Sequence, residues 1–168
     1  NITDTTNKTF LCPNKVGLAI CGDSSINGRP IAGFIEEFLL NKVTKDTPID
    51  EMPEMIIEYF DAVAPKLRSV FFVVGYQKNR DHYEQRLYDV NTFERKYRKF
   101  DNVNQGAIWQ GEMDILTKLL TKTFAKNGNQ LMEIPQFDIA WNLFNLQDAI
   151  NFAEFAIKTT ADTMSFQN

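Results

Sequence analysis

The chain has 168 residues, of which 43% are hydrophobic and 24% charged, and its formal net charge is −4. This length and composition suit a folded chain with a hydrophobic core and exclude a largely disordered one. The basic residues are spread out, which argues against a nucleic-acid binder, and no apolar run approaches the roughly 20 residues of a membrane helix.

A strand and two helices are the first predicted elements. Residues 15–21 alternate apolar and small side chains, which predicts a strand buried on one face. Pro30 stands where a helix can begin, and apolar residues recur at helical spacing after it. A second helix is predicted from about Asp50 to Pro65, because Pro53 fits a first helical turn.

Three strands and two helices are predicted next. The strands are expected at residues 69–76, 86–90 and 106–110. The helices are expected at residues 112–126, stopped by Gly128, and at residues 146–163, capped by Asn145. The side chains of the last helix that are expected to face inward are Ile150, Ala153, Phe155, Ala156 and Ile157. Strands segregated from paired helices predict an α+β fold, in one domain spanning residues 1–168.

Histidine and cysteine are scarce. His82 is the single histidine and lies in a charged segment, which is typical of a surface residue and excludes a histidine-rich zinc site within one chain. Cys12 and Cys21 lack the CxxC spacing and are interpreted as reduced, buried thiols of a cytoplasmic protein. We therefore expect neither a metal nor a cofactor.

Several features stand at a recognisable spacing. Lys8 comes first, followed by a strand that ends at Gly22 with Asp23 after it, and then by a long helix. Later, the segment 108–112 leads through a glycine into another helix. This combination resembles the N-terminal-nucleophile hydrolases, in particular proteasome β subunits and their bacterial relatives. The resemblance implies a four-layer αββα sandwich, a homo-oligomer, and hydrolysis of an amide bond in a peptide or small amide substrate.

The resemblance also assigns roles to individual residues. In that family an N-terminal Thr, Ser or Cys attacks the amide, and its own amino group acts as the base. Lys8 would be the lysine that lowers the pKa of that amine, and the Gly22 N–H would hold the oxyanion. The substrate pocket beside Lys8 would be lined by Thr6, Phe10, Ile20 and Ser24. Phe10 and Ile20 would make this pocket apolar and small, but both also suit a hydrophobic core.

The sequence departs from the family pattern in two places. Asn1 has no usable nucleophile, and the threonines after it stand too close to Lys8. The family's supporting serine would fall at Gln110 or Gly111, so that hydroxyl is absent. We therefore expect the nucleophile to lie outside this chain, and the sandwich to be incomplete without further strands at both ends.

Two other functions fit the same sequence. The chain could be a non-catalytic assembly subunit of the same fold, which the missing hydroxyls favour. It could instead be an unrelated α+β binding module that uses Trp109, Trp141 and the apolar segment 137–144 as its surface. Neither a nucleic-acid nor a membrane partner is expected in any of these cases.

Overall fold

The fold is given by a computed structural model, which describes residues 7–101, 105–122, 124–134 and 139–166. The chain divides into two compact units, Asn1–Asn104 and Gln105–Asn168. Helices and antiparallel strands occur in both units, so the α+β class predicted from the sequence is confirmed. The assignment of both units to one domain stays a prediction.

A five-stranded antiparallel sheet is the centre of the first unit, in the order β1-β2-β5-β6-β7. The elements of this unit are β1 (Thr9–Leu11), β2 (Gly17–Gly22), β3 (Ser25–Ile26), β4 (Arg29–Pro30), α1 (Ile31–Lys42), α2 (Met52–Val63), β5 (Ser69–Asn79), β6 (His82–Asn91) and β7 (Lys96–Lys99). Among the described strands, β3 and β4 pair with each other and with no other. β5 begins with a run of Val and Phe, which pack well on a pleated surface, and it forms a hairpin with β6.

Helices α1 and α2 pack on one face of this sheet. Pro30 directly precedes α1, and Pro53 lies in the first turn of α2, where its missing N–H removes no helical hydrogen bond. The ring of Phe60 on α2 lies 5.0 Å from the ring of Phe71 on β5. The largest side chains buried between helices and sheet include Phe38, Phe60, Phe71, Ile35 and Met52.

The other face of the sheet is mostly apolar and only partly buried. Because successive side chains of a strand point to opposite faces, the neighbours of the core residues on β2, β5 and β6 point away from α1 and α2. We call this surface the open face; its apolar residues are Ala19, Cys21, Val70, Phe72, Val74 and Leu87, and Asp89 and Asn91 of β6 share it. Val74, for example, remains 41% exposed.

The described residues of the second unit include two α-helices and a hairpin. Its elements are α3 (Asp114–Leu120), β8 (Phe124–Asn127), β9 (Gln130–Glu133) and α4 (Leu146–Ser165). The predicted N-cap of α4 is confirmed, because the Asn145 side chain accepts the Asp148 N–H at 3.0 Å and the Asp148 carboxylate accepts the Asn145 N–H at 2.9 Å. In the described part of the chain, no helix is both long and apolar enough to cross a bilayer.

The sequence prediction is wrong in part of this second unit. Residues 106–110 form no strand, and α3 ends at Leu120, well before the predicted end at Lys126. The apolar residues after Leu120 belong to the β8–β9 hairpin, and Gly128 lies in its turn with a φ of +60°. Short apolar runs fit helix and strand equally well, so only the cross-strand hydrogen bonds decided between them.

The predicted inward face of α4 is also wrong, except at Ala156. Ala156 is 7% exposed, whereas Phe155 is 52% and Ile157 72% exposed. The more buried positions of the helix include Phe152, Ala156, Thr159 and Thr163, which recur at helical spacing and form a narrower stripe.

Candidate functional site

One end of the five-stranded sheet gathers residues from four strands. β2 ends at Gly22, which lies opposite the first residue of β5, Ser69. β6 ends at Asn91, which lies opposite Val70. Lys8 immediately precedes β1, and its carbonyl oxygen accepts the Ile20 N–H at 2.9 Å. Because neighbouring strands are antiparallel, all these termini lie at the same end, which we call the Gly22 end.

Gly22 occupies a position that only glycine fits well. Its φ is +115°, a region that residues with a Cβ rarely adopt. A Cβ added there would overlap the Arg68 carbonyl oxygen and lie 2.8 Å from the Ser69 Cα. The backbone of β5 therefore approaches β2 closely at this point, and the glycine is required on two separate grounds.

The direction of the Gly22 N–H follows from the hydrogen-bond ladder. The Ile20 N–H donates towards β1, to Lys8, and the Asp23 N–H donates towards β5, to the Arg68 carbonyl at 3.1 Å. Backbone N–H groups alternate between the two sides of a strand. The Gly22 N–H therefore points to the β1 side of β2, which is the side on which Lys8 lies.

The Lys8 side chain is exposed, and its charge acts on a thiol at the same end of the sheet. Burial raises the pKa of the Cys21 thiol, while a backbone hydrogen bond with Val70 and the Lys8 ammonium act in the opposite direction. Cys21 precedes Gly22 directly. The backbones of Lys8 and Gly22 therefore lie at the same end of the sheet, and a catalytic role for the two residues stays a prediction.

The four predicted pocket residues have different surroundings. Thr6 lies outside the described residues. Ile20, 8% exposed, belongs to the core, and Phe10 packs against that core. Ser24 is exposed, and its carbonyl oxygen accepts the Ile31 N–H at 3.0 Å, which fixes the start of α1. A substrate pocket formed by these residues stays a prediction, and the two apolar ones contribute to core packing.

A polar network at the opposite end of the sheet was not predicted from the sequence. The Arg86 side chain, 12% exposed, lies 3.1 Å from an Asp50 oxygen and 2.6 Å from a Glu84 oxygen. The Tyr88 hydroxyl donates to Asp50 at 2.5 Å, and burial followed by this hydrogen bond raises the pKa of Tyr88. The predicted surface histidine is confirmed, since the His82 side chain is 62% exposed, and it lies 3.1 Å from Glu84. This network connects β6 to the turn before α2 and so stabilises the fold.

A concave site at the Gly22 end was also missed. Five residues line a pocket of about 440 Å³, namely Arg68, Ser69, Val70, Asn91 and Phe93. They come from the start of β5, the end of β6 and the segments next to them. No motif joins these positions in the sequence, and only the pairing of β5 with β6 brings them together.

Comparison of the chain with protein-family models, with curated proteins and with solved structures gave no match. Among the described residues, no group of three or more His, Cys, Asp or Glu side chains is placed to hold a metal ion. The geometry of the Gly22 end is therefore the main guide to function.

Proposed function

We propose that this chain forms one sheet and one helical layer of a proteasome-like N-terminal-nucleophile hydrolase, and that the complete protein hydrolyses an amide or peptide bond. The observation that carries the proposal is the Gly22 end of the sheet. There Lys8 and the Gly22 N–H lie on the β1 side of β2, and the Lys8 side chain is exposed. In an acyl-transfer reaction, an ammonium group favours the neutral form of a nearby amine base, and a backbone N–H stabilises the oxyanion.

Each group has a defined part in the proposed reaction. A hydroxyl or thiol from a segment not among residues 1–168 attacks the carbonyl carbon, and a nearby amine takes its proton. The carbonyl electrons move to the oxygen, which the Gly22 N–H stabilises. The Lys8 ammonium lowers the pKa of the amine, so that it is neutral when the attack begins. The C–N bond then breaks as this proton passes to the leaving amine, and water attacks the acyl ester or thioester to release the acid and restore the nucleophile.

The open face supports the four-layer architecture. Its apolar side chains on β2, β5 and β6 point away from α1 and α2. A second sheet stacked on this face would cover it, with the two helices on the outside of the first sheet. Fully burying a single Val or Phe side chain contributes about 1.5–3 kcal/mol, so several such residues form a substantial driving force.

Lysine substitutions in the full-length polypeptide test the proposal. Lys8→Met is expected to lower kcat/KM on a fluorogenic peptide amide by about a hundredfold, within the range that general acid–base and charge effects supply. Lys45→Met is the matched control, because Lys45 is also an exposed lysine but lies in the segment between α1 and α2. Urea unfolding of both variants should match that of the unsubstituted protein. Equal activity of the two variants would remove Lys8 from the mechanism.

A non-catalytic assembly subunit of the same fold is the second candidate. It is favoured by Gln110 and Gly111, which place no hydroxyl where the family has a supporting serine. Light scattering and the amide assay on the same sample separate the candidates, since a stable oligomer without turnover supports the assembly role. A cytoplasmic location belongs to both proposals and agrees with the free thiols of Cys12 and Cys21.

A further inference from the structure

The pocket at the Gly22 end combines one cationic group with apolar walls. Val70 is part of the open face, and Phe93 follows β6 with 52% of its surface exposed. Ser69 is 3% exposed, and its hydroxyl has no hydrogen-bond partner within the part of the chain that the structure describes. The same hydroxyl lies 3.0 Å from where a Cβ on Gly22 would stand, so the pocket borders the candidate site.

Arg68 supplies the positive charge. Its guanidinium lies over the Phe93 ring, 5.0 Å from the ring centre. A cation–π contact of this kind restricts the guanidinium without using its N–H groups as hydrogen-bond donors to a carboxylate. The nearby Asp23 carboxylate accepts the backbone N–H of Arg68 at 2.8 Å. Within residues 7–101, no carboxylate forms an ion pair with the Arg68 guanidinium.

Two other stacked arginines of this unit show what distinguishes Arg68. Arg98 lies over Phe100 but is paired with Asp89 at 2.7 Å, so its charge is already compensated. Arg29 lies over Phe34 at 4.8 Å, but it does not line the pocket. Among these three, Arg68 combines a guanidinium over an aromatic ring, no ion-pair partner within residues 7–101 and a place in the pocket lining.

Asn91 adds a second polar group to the lining. Its side-chain oxygen accepts the Glu94 N–H at 3.0 Å, which leaves the amide NH₂ as a donor. Donors from a guanidinium and an amide next to Val70 and Phe93 match a carboxylate attached to an apolar group. The lining contains one cationic side chain, which would leave the second charge of a phosphate dianion uncompensated.

We propose that this pocket binds the carboxylate of a small ligand or peptide end whose neighbouring group is apolar. The Arg68 fork and the Asn91 amide hold the carboxylate, and the apolar group lies against Val70 and Phe93. This site goes beyond the proposed hydrolysis and does not depend on it, because binding can be measured without turnover.

Titration of ¹⁵N-labelled protein with N-acetyl-leucine tests the site by NMR. Saturable shifts are expected at the amides of Val70, Asn91 and Phe93. Arg68→Gln should raise the Kd by about tenfold or more, as expected for a lost charge-assisted hydrogen bond. Phe93→Leu, which removes the stacking ring but keeps an apolar wall, should raise the Kd by about threefold. Arg29→Gln is the matched control and should bind like the unsubstituted protein.

N-acetyl-leucinamide provides the control on the ligand side, because it keeps the apolar group and replaces the carboxylate by a neutral amide. It should bind at least about tenfold more weakly than the acid. Equal affinity for the amide and the acid would overturn the proposal, as would unchanged binding by Arg68→Gln. Shifts scattered over the surface, or no shifts at all, would also refute it. Unchanged spectra of each free variant away from the pocket will confirm that the substitutions preserve the fold.

Discussion

Replacement of Gly22 by alanine gives the sharpest test of the geometry at the candidate site. The first cost is the backbone conformation, since a φ of +115° is unfavourable for a residue with a Cβ, by about 1–2 kcal/mol. The second cost is the overlap of the new methyl group with the Arg68 carbonyl and the Ser69 Cα. These are backbone atoms, which cannot rotate away, and overpacking of this kind costs about 1–3 kcal/mol.

The two terms together predict that Gly22→Ala lowers the free energy of unfolding by about 2–5 kcal/mol. Since domains are stable by only about 5–15 kcal/mol, this is a large part of the total. Urea unfolding followed by far-ultraviolet circular dichroism measures the loss, because the substitution lies in the central sheet.

Substitutions of two other glycines in the same unit separate the cost of the backbone conformation from the cost of the overlap. Gly28 has a φ of +78° with nothing within 4 Å of an added Cβ, so Gly28→Ala should cost only the backbone term. Gly33 lies inside α1 with the same free space, and Gly33→Ala should stabilise the protein by about 0.5–1 kcal/mol. A loss for Gly22→Ala no larger than that for Gly28→Ala would refute the close approach of β5 to β2.

The remaining predictions concern one ionisable group and one helix cap. Hydrogen bonds from Asn79, Arg86 and His82 lower the pKa of Glu84 from 4.5 to about 2, so its contribution to stability is full above pH 4.5 and is lost as the pH falls towards about 2. Glu84→Gln should flatten this part of a plot of unfolding free energy against pH, and an unchanged slope would contradict the network. Asn145→Ala should destabilise α4 by about 1 kcal/mol in urea unfolding followed by tryptophan emission, because it removes the capping box. Glu154→Ala, an exposed change in the same helix, should leave the midpoint nearly unchanged, and equal losses for the two variants would exclude the cap.

Much of the first unit could be predicted because its signals are local. The Val and Phe run at the start of β5 favours a strand, and Pro30 and Pro53 mark where α1 and α2 begin. The Asn145 cap could be predicted equally well, since a capping box needs only two residues three positions apart. These elements follow from spacing and propensity within a few turns of the chain.

The candidate site was predicted only in part. Lys8 and Gly22 were singled out by their resemblance to a family pattern, but their position at the same end of the sheet depends on the pairing of β1 with β2. The Arg68 pocket was missed altogether, because its lining residues at positions 68–70 and 91–93 are separated by the whole β5–β6 hairpin. No local pattern reports on which side chains such a hairpin brings together.

The sequence by itself determined the α+β class, the two helices beside the central strands and the capped last helix, since each depends on contacts between near neighbours in the chain. Only the tertiary structure decided that residues 124–133 form a hairpin, which face of α4 is buried and which groups share the Gly22 end. These features depend on hydrogen bonds and packing between distant segments. The groups that share the Gly22 end, for example, depend on the register of the strands, and the spacing of apolar residues in the sequence does not specify that register.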